Sequence, residues 1–360
     1  MKTTGNLYPL NLPQRYPFDQ WWIGAYSSEV GRELLQRKIL DQPVVMYRTQ
    51  AGEPVALAGL CPHRLYPLVK GRLDGDAIQC GYHGFIYDQT GRCVRVPSQD
   101  AVPTKFAVRR YSLIERAGII WIWTGREAGA DASLLPDLQS MGLGAEGWAV
   151  ERHPIATVKA RYQLLIDNLL DLSHISFIHN TSIPGGGAVV RLPCEISETK
   201  SSLLVQRVGK AIPSNPHYRF LFPSYEGAVD QSFDTELFGP HLIRTGGPIH
   251  ASEGQRAAES RLLGVTNFLH GITPESPTSV HYFVMTARNF RIDSAAIANA
   301  NLRMGAMIQP EDIAVIELIE SNVEQFASTR REFSVATDDG AIRARRRLAA
   351  QIRAEIAAPA

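Results

Sequence analysis

Residues 61–85 read CPHRLYPLVKGRLDGDAIQCGYHGF. They hold two of the chain's four cysteines and two of its ten histidines. The pattern is Cys61-x-His63, sixteen residues, then Cys80-x-x-His83. Each pair follows a short strand-like run, PVALAGL before Cys61 and GDAIQ before Cys80. Two hairpin loops can therefore each offer one thiolate and one imidazole to a common point.

Working outward, 360 residues suffice for one large domain or two ordinary ones. With 44% hydrophobic and 20% charged residues, the composition is that of a globular protein with a sizeable core. A net charge of +1 argues against nucleic acid as the main partner. The first residues lack the apolar core of a secretory signal. No run reaches the ~20 apolar residues of a membrane helix, so no membrane partner is expected. The cysteines are then expected to stay reduced, in a cytoplasmic protein.

Residues 17–125 are rich in short β-like runs (PVVMYRT, AIQCGYHGFIYD, LIERAGIIWIWTG) separated by the breakers QAGEP, LDGDA and DQTGR. An antiparallel, all-β domain is predicted there, behind an N-terminal arm of residues 1–16. EAGADASLLPDLQ (127–139) reads as a linker. Residues 126–360 form the second domain: strands around one helix at 162–180, more strands over 190–290, then terminal helices starting at SAAIANANLRMGAMI, EDIAVIELIESNVEQFA and AIRARRRLAAQIRAEI. The fold class is therefore α+β.

Three readings of the Cys/His set compete. Structural zinc prefers Cys-x₂₋₄-Cys knuckles, which are missing here. Chance explains the regular placement poorly. A Rieske [2Fe–2S] cluster needs two Cys on one iron and two His on the other. The context CPHR…CGYHG, followed by F-x-Y-D-x-x-G-R-C-x-x-x-P, closely resembles the Rieske domain of the ring-hydroxylating oxygenases. Rieske proteins of respiratory complexes carry an extra Cys in each loop; neither loop has one here. Cys93 and Cys194 have no partner motif and read as buried small hydrophobes.

The segment IDNLLDLSHISFIHN (166–180) places Asn168, Asp171, His174 and His179 close together. Alone, it reads best as an amphipathic helix that happens to contain histidines. Its spacing is nevertheless similar to the mononuclear-iron motif of the Rieske oxygenases. That resemblance makes His174 and His179 iron ligands and makes Asp171 a bridge to a Rieske histidine of a neighbouring subunit. Asn168 sits where the family often keeps a residue near the metal. On a straight α-helix the two histidines lie about 140° apart, so a π-bulge between them is predicted. A non-haem Fe(II) site also needs a carboxylate. Placed at 100° steps, Ile316, Ile319, Val323, Phe326 and Ala327 all fall within about 60° of Asp312. Glu311, Glu317, Glu320 and Glu324 fall outside that stripe and read as solvated. The family's third ligand also sits after an x-E-D triplet near the start of a C-terminal helix, so geometry and resemblance agree on Asp312.

The resemblance spans nearly the whole chain. It implies a C-terminal helix-grip-like domain and the oxygenase component of a Rieske monooxygenase that hydroxylates or O-demethylates an aromatic substrate with O₂. An arene cis-dihydroxylating dioxygenase and a non-catalytic electron carrier are the alternatives. The implied cofactors are one Rieske [2Fe–2S] cluster and one mononuclear non-haem Fe(II). No G-x-G-x-x-G follows a strand, so a separate NAD(P)H-dependent reductase, carrying flavin or ferredoxin, must supply electrons. Cross-subunit transfer implies a homotrimer or a multiple of one. His270 aligns with a substrate-contacting His of some O-demethylating members, and Arg303 lies where similar enzymes have pocket residues; core or surface roles explain both as well. HNTSIPGGGAVVR (179–191) reads as a cover or an ordinary loop, RTGGPIHASEGQRAAES (244–260) as a polar loop, and RARRR (343–347) as a solvated face ahead of an electron-donor docking patch.

Overall fold

A computed structural model describes residues 14–183, 186–252, 261–326, 329 and 332–358, without the side chains of 186–188. The described chain divides into two compact units. One comprises 16–135 with 273–277, the other the remaining described residues.

The first unit is built from small antiparallel sheets. Trp21–Tyr26 pairs with Ile119–Trp123, which pairs with Leu113–Arg116. Leu35–Ile39, Gln42–Arg48 and Pro54–Ala58 form a second meander. Arg72–Asp74, Ala77–Gln79, Ile86–Tyr87 and Cys93–Arg95 form a third. Trp21–Tyr26 and Ile119–Trp123 are buried at every residue, which is why they read as continuous apolar runs rather than alternating ones. Cys61, Cys80 and Cys93 are part of the core, packed with Tyr47, Leu68, Phe85 and Tyr87.

The second unit is organised on a ten-stranded sheet. Its main order is Ala149–Arg152, Ser279–Arg288, Leu262–Ser276, Leu242–Ala251, Asp234–Phe238, Ser202–Gln206 and Glu195–Glu198. Five α-helices are described: α1 Tyr162–Leu170, α2 Ile175–Ile178, α3 Pro216–Leu221, α4 Ala295–Phe326 and α5 Asp339–Ala357. Helix α1 packs on α4, α5 and two sheet strands. Seven of its nine residues are buried, so it is apolar almost all round, as a central helix must be. This is the expected α+β fold.

Several local expectations need correcting. The terminal helices predicted on either side of Pro310 are one 32-residue helix, α4, with Pro310 inside it. Residues 244–251 belong to a strand rather than a polar loop, because Leu242–Ala251 alternates buried and half-buried residues; 253–260 lie outside the described residues. In the loop after His179, Gly186–Arg191 forms a 3₁₀ helix, while 184–185 lie outside the described residues. Cys194 is exposed. The basic run is only partly a solvated face, with Arg346 exposed. Arg345 is buried between Asp167 and Glu332, and Arg343 and Arg347 both reach Glu198.

The expected stripe on α4 is also different. Asp312, Ile316 and Glu320 are buried, whereas Ile319 and Phe326 are exposed and Ala327 lies outside the described residues. Glu320 was expected in solvent. Instead it takes the Arg161 guanidinium at 2.7 Å and the Arg161 backbone N–H at 2.9 Å, both groups fully enclosed. The pair joins the entry of α1 to α4 across 159 residues of sequence. Removing one partner leaves the other charge buried and uncompensated. Glu320→Ala is therefore expected to cost about 3–5 kcal/mol of stability, seen as a lower urea midpoint. An unchanged midpoint would show that the pair does not hold the helices together.

Candidate metal centres

In the first unit, the two loops that follow short strands bring Cys61, His63, Cys80 and His83 together. The His63 and His83 rings lie 4.6 Å apart, and His63 stacks on Phe85 at 4.8 Å. Backbone constraints set the second loop. Gly81 lies so close to the chain before it that a Cβ would sit 2.5 Å from the Lys70 carbonyl oxygen. Gly84 has φ +73°, and its N–H closes the turn onto the Cys80 carbonyl.

The groups present fit a Rieske cluster. His63 Nδ1 is buried and has no hydrogen-bond partner among the described residues, an expensive state that a metal ligand bond resolves. Burial, then His83 and Arg64, pushes the His63 pKa down, in the direction of the neutral ring that a metal ligand needs. Burial pushes the Cys80 thiol up, and the neighbouring Cys61 adds to this. Two adjacent thiolates in a core call for cationic metal between them. The Tyr87 hydroxyl stands 3.1 Å from Cys61 Sγ. Burial, and then that contact, pushes the phenol far up, so it stays protonated and can donate to a thiolate. An open cavity of about 490 Å³, lined by His63, His83, Val96, Pro97, Gln99 and Phe106 among others, adjoins the imidazole pair.

In the second unit, α1 ends at Asp171, whose backbone is extended (φ −116°, ψ 90°). The Asp171 carboxylate accepts from the Ser173 N–H at 3.0 Å and the Ser173 hydroxyl at 2.9 Å, a local turn that competes with the helix. A 3₁₀ turn over Leu172–His174 follows, then α2, whose C-cap is His179. The predicted π-bulge is absent. The chain reaches the same end by stopping one helix and restarting another in a new direction.

The two histidines thereby converge on α4. His179 Nε2 lies 3.1 Å and His174 Nε2 3.4 Å from the same Asp312 oxygen, and Asn168 Nδ2 donates to it at 3.3 Å. His174, His179 and Asp312 bring one ligand atom each to within 4.8 Å of one another. The far nitrogens are also engaged. His174 Nδ1–H donates to the Asp171 carbonyl at 2.7 Å, and His179 Nδ1–H to Glu311 at 2.7 Å. With the protons there, both Nε2 lone pairs face a carboxylate oxygen. That is repulsive unless positive charge lies among them. Burial pulls the His179 pKa down, but the Asp312 and Glu311 carboxylates outweigh it and raise it. The site thus favours a cation, and two imidazoles with one carboxylate suit non-haem Fe(II).

Glu311, read from sequence as solvated, is part of this constellation; the x-E-D triplet carried the signal, but the helical wheel discarded it. His270 is half-buried and lies near Asp312 and His153. Its Nδ1 meets the Tyr282 hydroxyl at 2.7 Å and its Nε2 the Thr245 hydroxyl at 3.0 Å. Burial pushes its pKa down to about 4, so the ring is neutral. Arg303 is not brought to the site. It is exposed on α4, roughly 13 Å along the axis and about 180° round from Asp312.

Comparison with known proteins places both halves. Residues 20–107 match the Rieske [2Fe–2S] domain, and residues 158–354 match the vanillate O-demethylase oxygenase C-terminal domain. The chain is 31% identical to the putative toluene-4-sulfonate monooxygenase system iron–sulfur subunit of Comamonas testosteroni, covering 89% of this chain and 92% of that one. It is 32% identical to the oxygenase component of chloroacetanilide N-alkylformylase from Rhizorhabdus wittichii, covering 93% and 95%. The crystal structure of dicamba monooxygenase bound to 3,6-dichlorosalicylic acid superposes with a TM-score of 0.86 at 28% identity, over 95% of this chain and 99% of that one. A bare electron carrier would need only the first unit, so the matched oxygenase domain removes that alternative. The chain belongs to the Rieske monooxygenase family, as an oxygenase component of the vanillate O-demethylase type.

Proposed function

We propose that this chain binds a Rieske [2Fe–2S] cluster through Cys61, Cys80, His63 and His83, and a mononuclear Fe(II) through His174, His179 and Asp312. We propose that it hydroxylates or O-demethylates an aromatic substrate, with O-demethylation of a methoxylated aromatic acid as the leading case. The observation that carries the reading is the meeting of two imidazoles and one buried carboxylate at one point of the second unit. When bound, the cluster supplies electrons one at a time, and the ferrous ion supplies the positions at which O₂ is reduced.

The chain's residues do the holding. The Asp171 carbonyl and the Glu311 carboxylate keep the protons of the two histidines on Nδ1. Asn168 donates to Asp312 and fixes its oxygen. The Asp171 carboxylate, partly exposed, accepts from Ser173 and Arg207; the family resemblance makes it the link to a Rieske histidine of a second copy in a homotrimer. His270, neutral and held by two hydroxyls, contributes shape and hydrogen bonding rather than charge. For a methoxylated substrate the balance is O₂, two electrons and two protons in, water and a hemiacetal out. The hemiacetal then loses formaldehyde and leaves a phenol. The two electrons come from a separate reductase, in keeping with relatives named as an oxygenase component and a monooxygenase-system subunit.

Two tests follow. With a surrogate reductase and a panel of methoxybenzoates, wild type should take up O₂ and release equimolar formaldehyde. Asp312→Ala should keep the visible spectrum of the cluster and lose turnover by at least about 100-fold. Wild-type turnover in the variant would remove Asp312 from the site. The second test concerns Tyr87. Tyr87→Phe deletes one hydrogen bond to a cluster sulfur, so the Rieske reduction potential should fall. The expected drop is on the order of 40 mV, equivalent to about 1 kcal/mol in a one-electron couple. An unchanged potential would show that Tyr87 does not donate to the cluster.

A further inference from the structure

Two consecutive carboxylates of α4 grip one imidazole from both sides. Asp312 faces His179 Nε2 at 3.1 Å, and Glu311 accepts from His179 Nδ1–H at 2.7 Å. The other Glu311 oxygen accepts a hydrogen bond from the Ser182 hydroxyl. Ser182 is itself tied back, because its N–H and that of Ile183 donate to the His179 carbonyl at 3.2 and 2.9 Å. Glu311, Ser182 and His179 thus form a closed ring of contacts, in which both carboxylate oxygens are engaged. His174 is held differently. Its Nδ1–H meets a neutral backbone carbonyl, that of Asp171.

We propose that Glu311 is a positioning residue for the mononuclear site. Its carboxylate locks His179 in the Nδ1–H tautomer, aims Nε2 at the metal position and raises that nitrogen's basicity, while Ser182 holds Glu311 in place. A charged acceptor behind an imidazole makes it a stronger ligand than a neutral one does. The two histidines are therefore unequal: His179 is the strong ligand and His174 the weaker. Glu311 reaches the metal only through His179. The proposal rests on the reading that His174, His179 and Asp312 hold the iron.

Full-length protein with its cluster intact, stripped only of mononuclear iron, would be titrated with Fe(II) against a competing chelator. Glu311→Ala should weaken Fe(II) binding about 10–100-fold. Glu311→Gln keeps an accepting oxygen but loses the charge, and should fall between Glu311→Ala and wild type. Ser182→Ala should give a smaller loss in the same direction. In all three the cluster absorption should be unchanged, and excess Fe(II) should restore the full iron content. That restoration is a behaviour a merely misfolded site would not show. If Glu311→Ala does not fold, the Gln and Ser182→Ala variants carry the test. Wild-type Fe(II) affinity in Glu311→Gln and Ser182→Ala, with His179→Ala unable to bind, overturns the positioning role alone. Wild-type affinity in His179→Ala overturns the ligand set beneath it.

Discussion

One oxygen of Asp312 is the point on which the second unit depends. Two imidazole nitrogens and one amide nitrogen meet it within 3.4 Å, from segments 133 to 144 residues away in sequence. Closing a loop of that length costs conformational entropy, and a cluster of like-facing lone pairs adds repulsion. The surrounding packing offsets both. Helix α1, buried almost all round, is set against α4, and the Arg161–Glu320 pair joins them two turns beyond Asp312. What stays uncompensated at the site is negative charge. An apolar core would reject such a site, whereas a divalent cation stabilises it.

The same logic governs the first unit on a smaller scale. Two thiols sit inside a hydrophobic core with Phe85 and Tyr87, where ionisation is costly. His63 leaves a buried nitrogen without a partner among the described residues. Each of these is a local defect that a bound iron would remove. Gly81 lets the second loop approach the chain before it and Gly84 supplies its positive φ, and the four side chains come to share one place. In both units, then, the polypeptide accepts unfavourable contacts when considered without metal, and those contacts mark the functional positions.

Much of this was legible in the sequence, and the failures share a cause. Cys61, His63, Cys80 and His83 were readable because their spacing and flanking turns are local. Asp312 stood out through the x-E-D triplet of the family resemblance more than through its helical stripe, half of which the structure leaves exposed. The break at Asp171 was missed because the histidine geometry was solved with a bulge, although Asp-Leu-Ser offers the side chain–backbone turn that actually ends α1. Glu311 and Glu320 read as solvated because they fall outside the apolar stripe centred on Asp312. Their partners, His179 and Arg161, come from the other end of the domain, beyond any local pattern. Arg345 failed in the same way: within a basic run nothing distinguishes the one arginine that Asp167 and Glu332 bury. Conversely, Ile319 and Phe326 were assigned to a buried stripe, yet they are exposed. Periodicity says which residues share a face, not which face the rest of the chain covers.

The central claim is that one chain holds two distinct iron stations, a sulfide-bridged pair and a lone ferrous ion on His174, His179 and Asp312. Mössbauer spectroscopy of ⁵⁷Fe-enriched, dithionite-reduced protein tests it most directly. The account predicts three iron components of equal area: the localised ferrous and ferric halves of a reduced Rieske cluster, and a high-spin ferrous ion in nitrogen and oxygen coordination. In His179→Ala the third component should vanish and the first two remain. A fully metallated wild-type spectrum containing only the paired components would contradict the account.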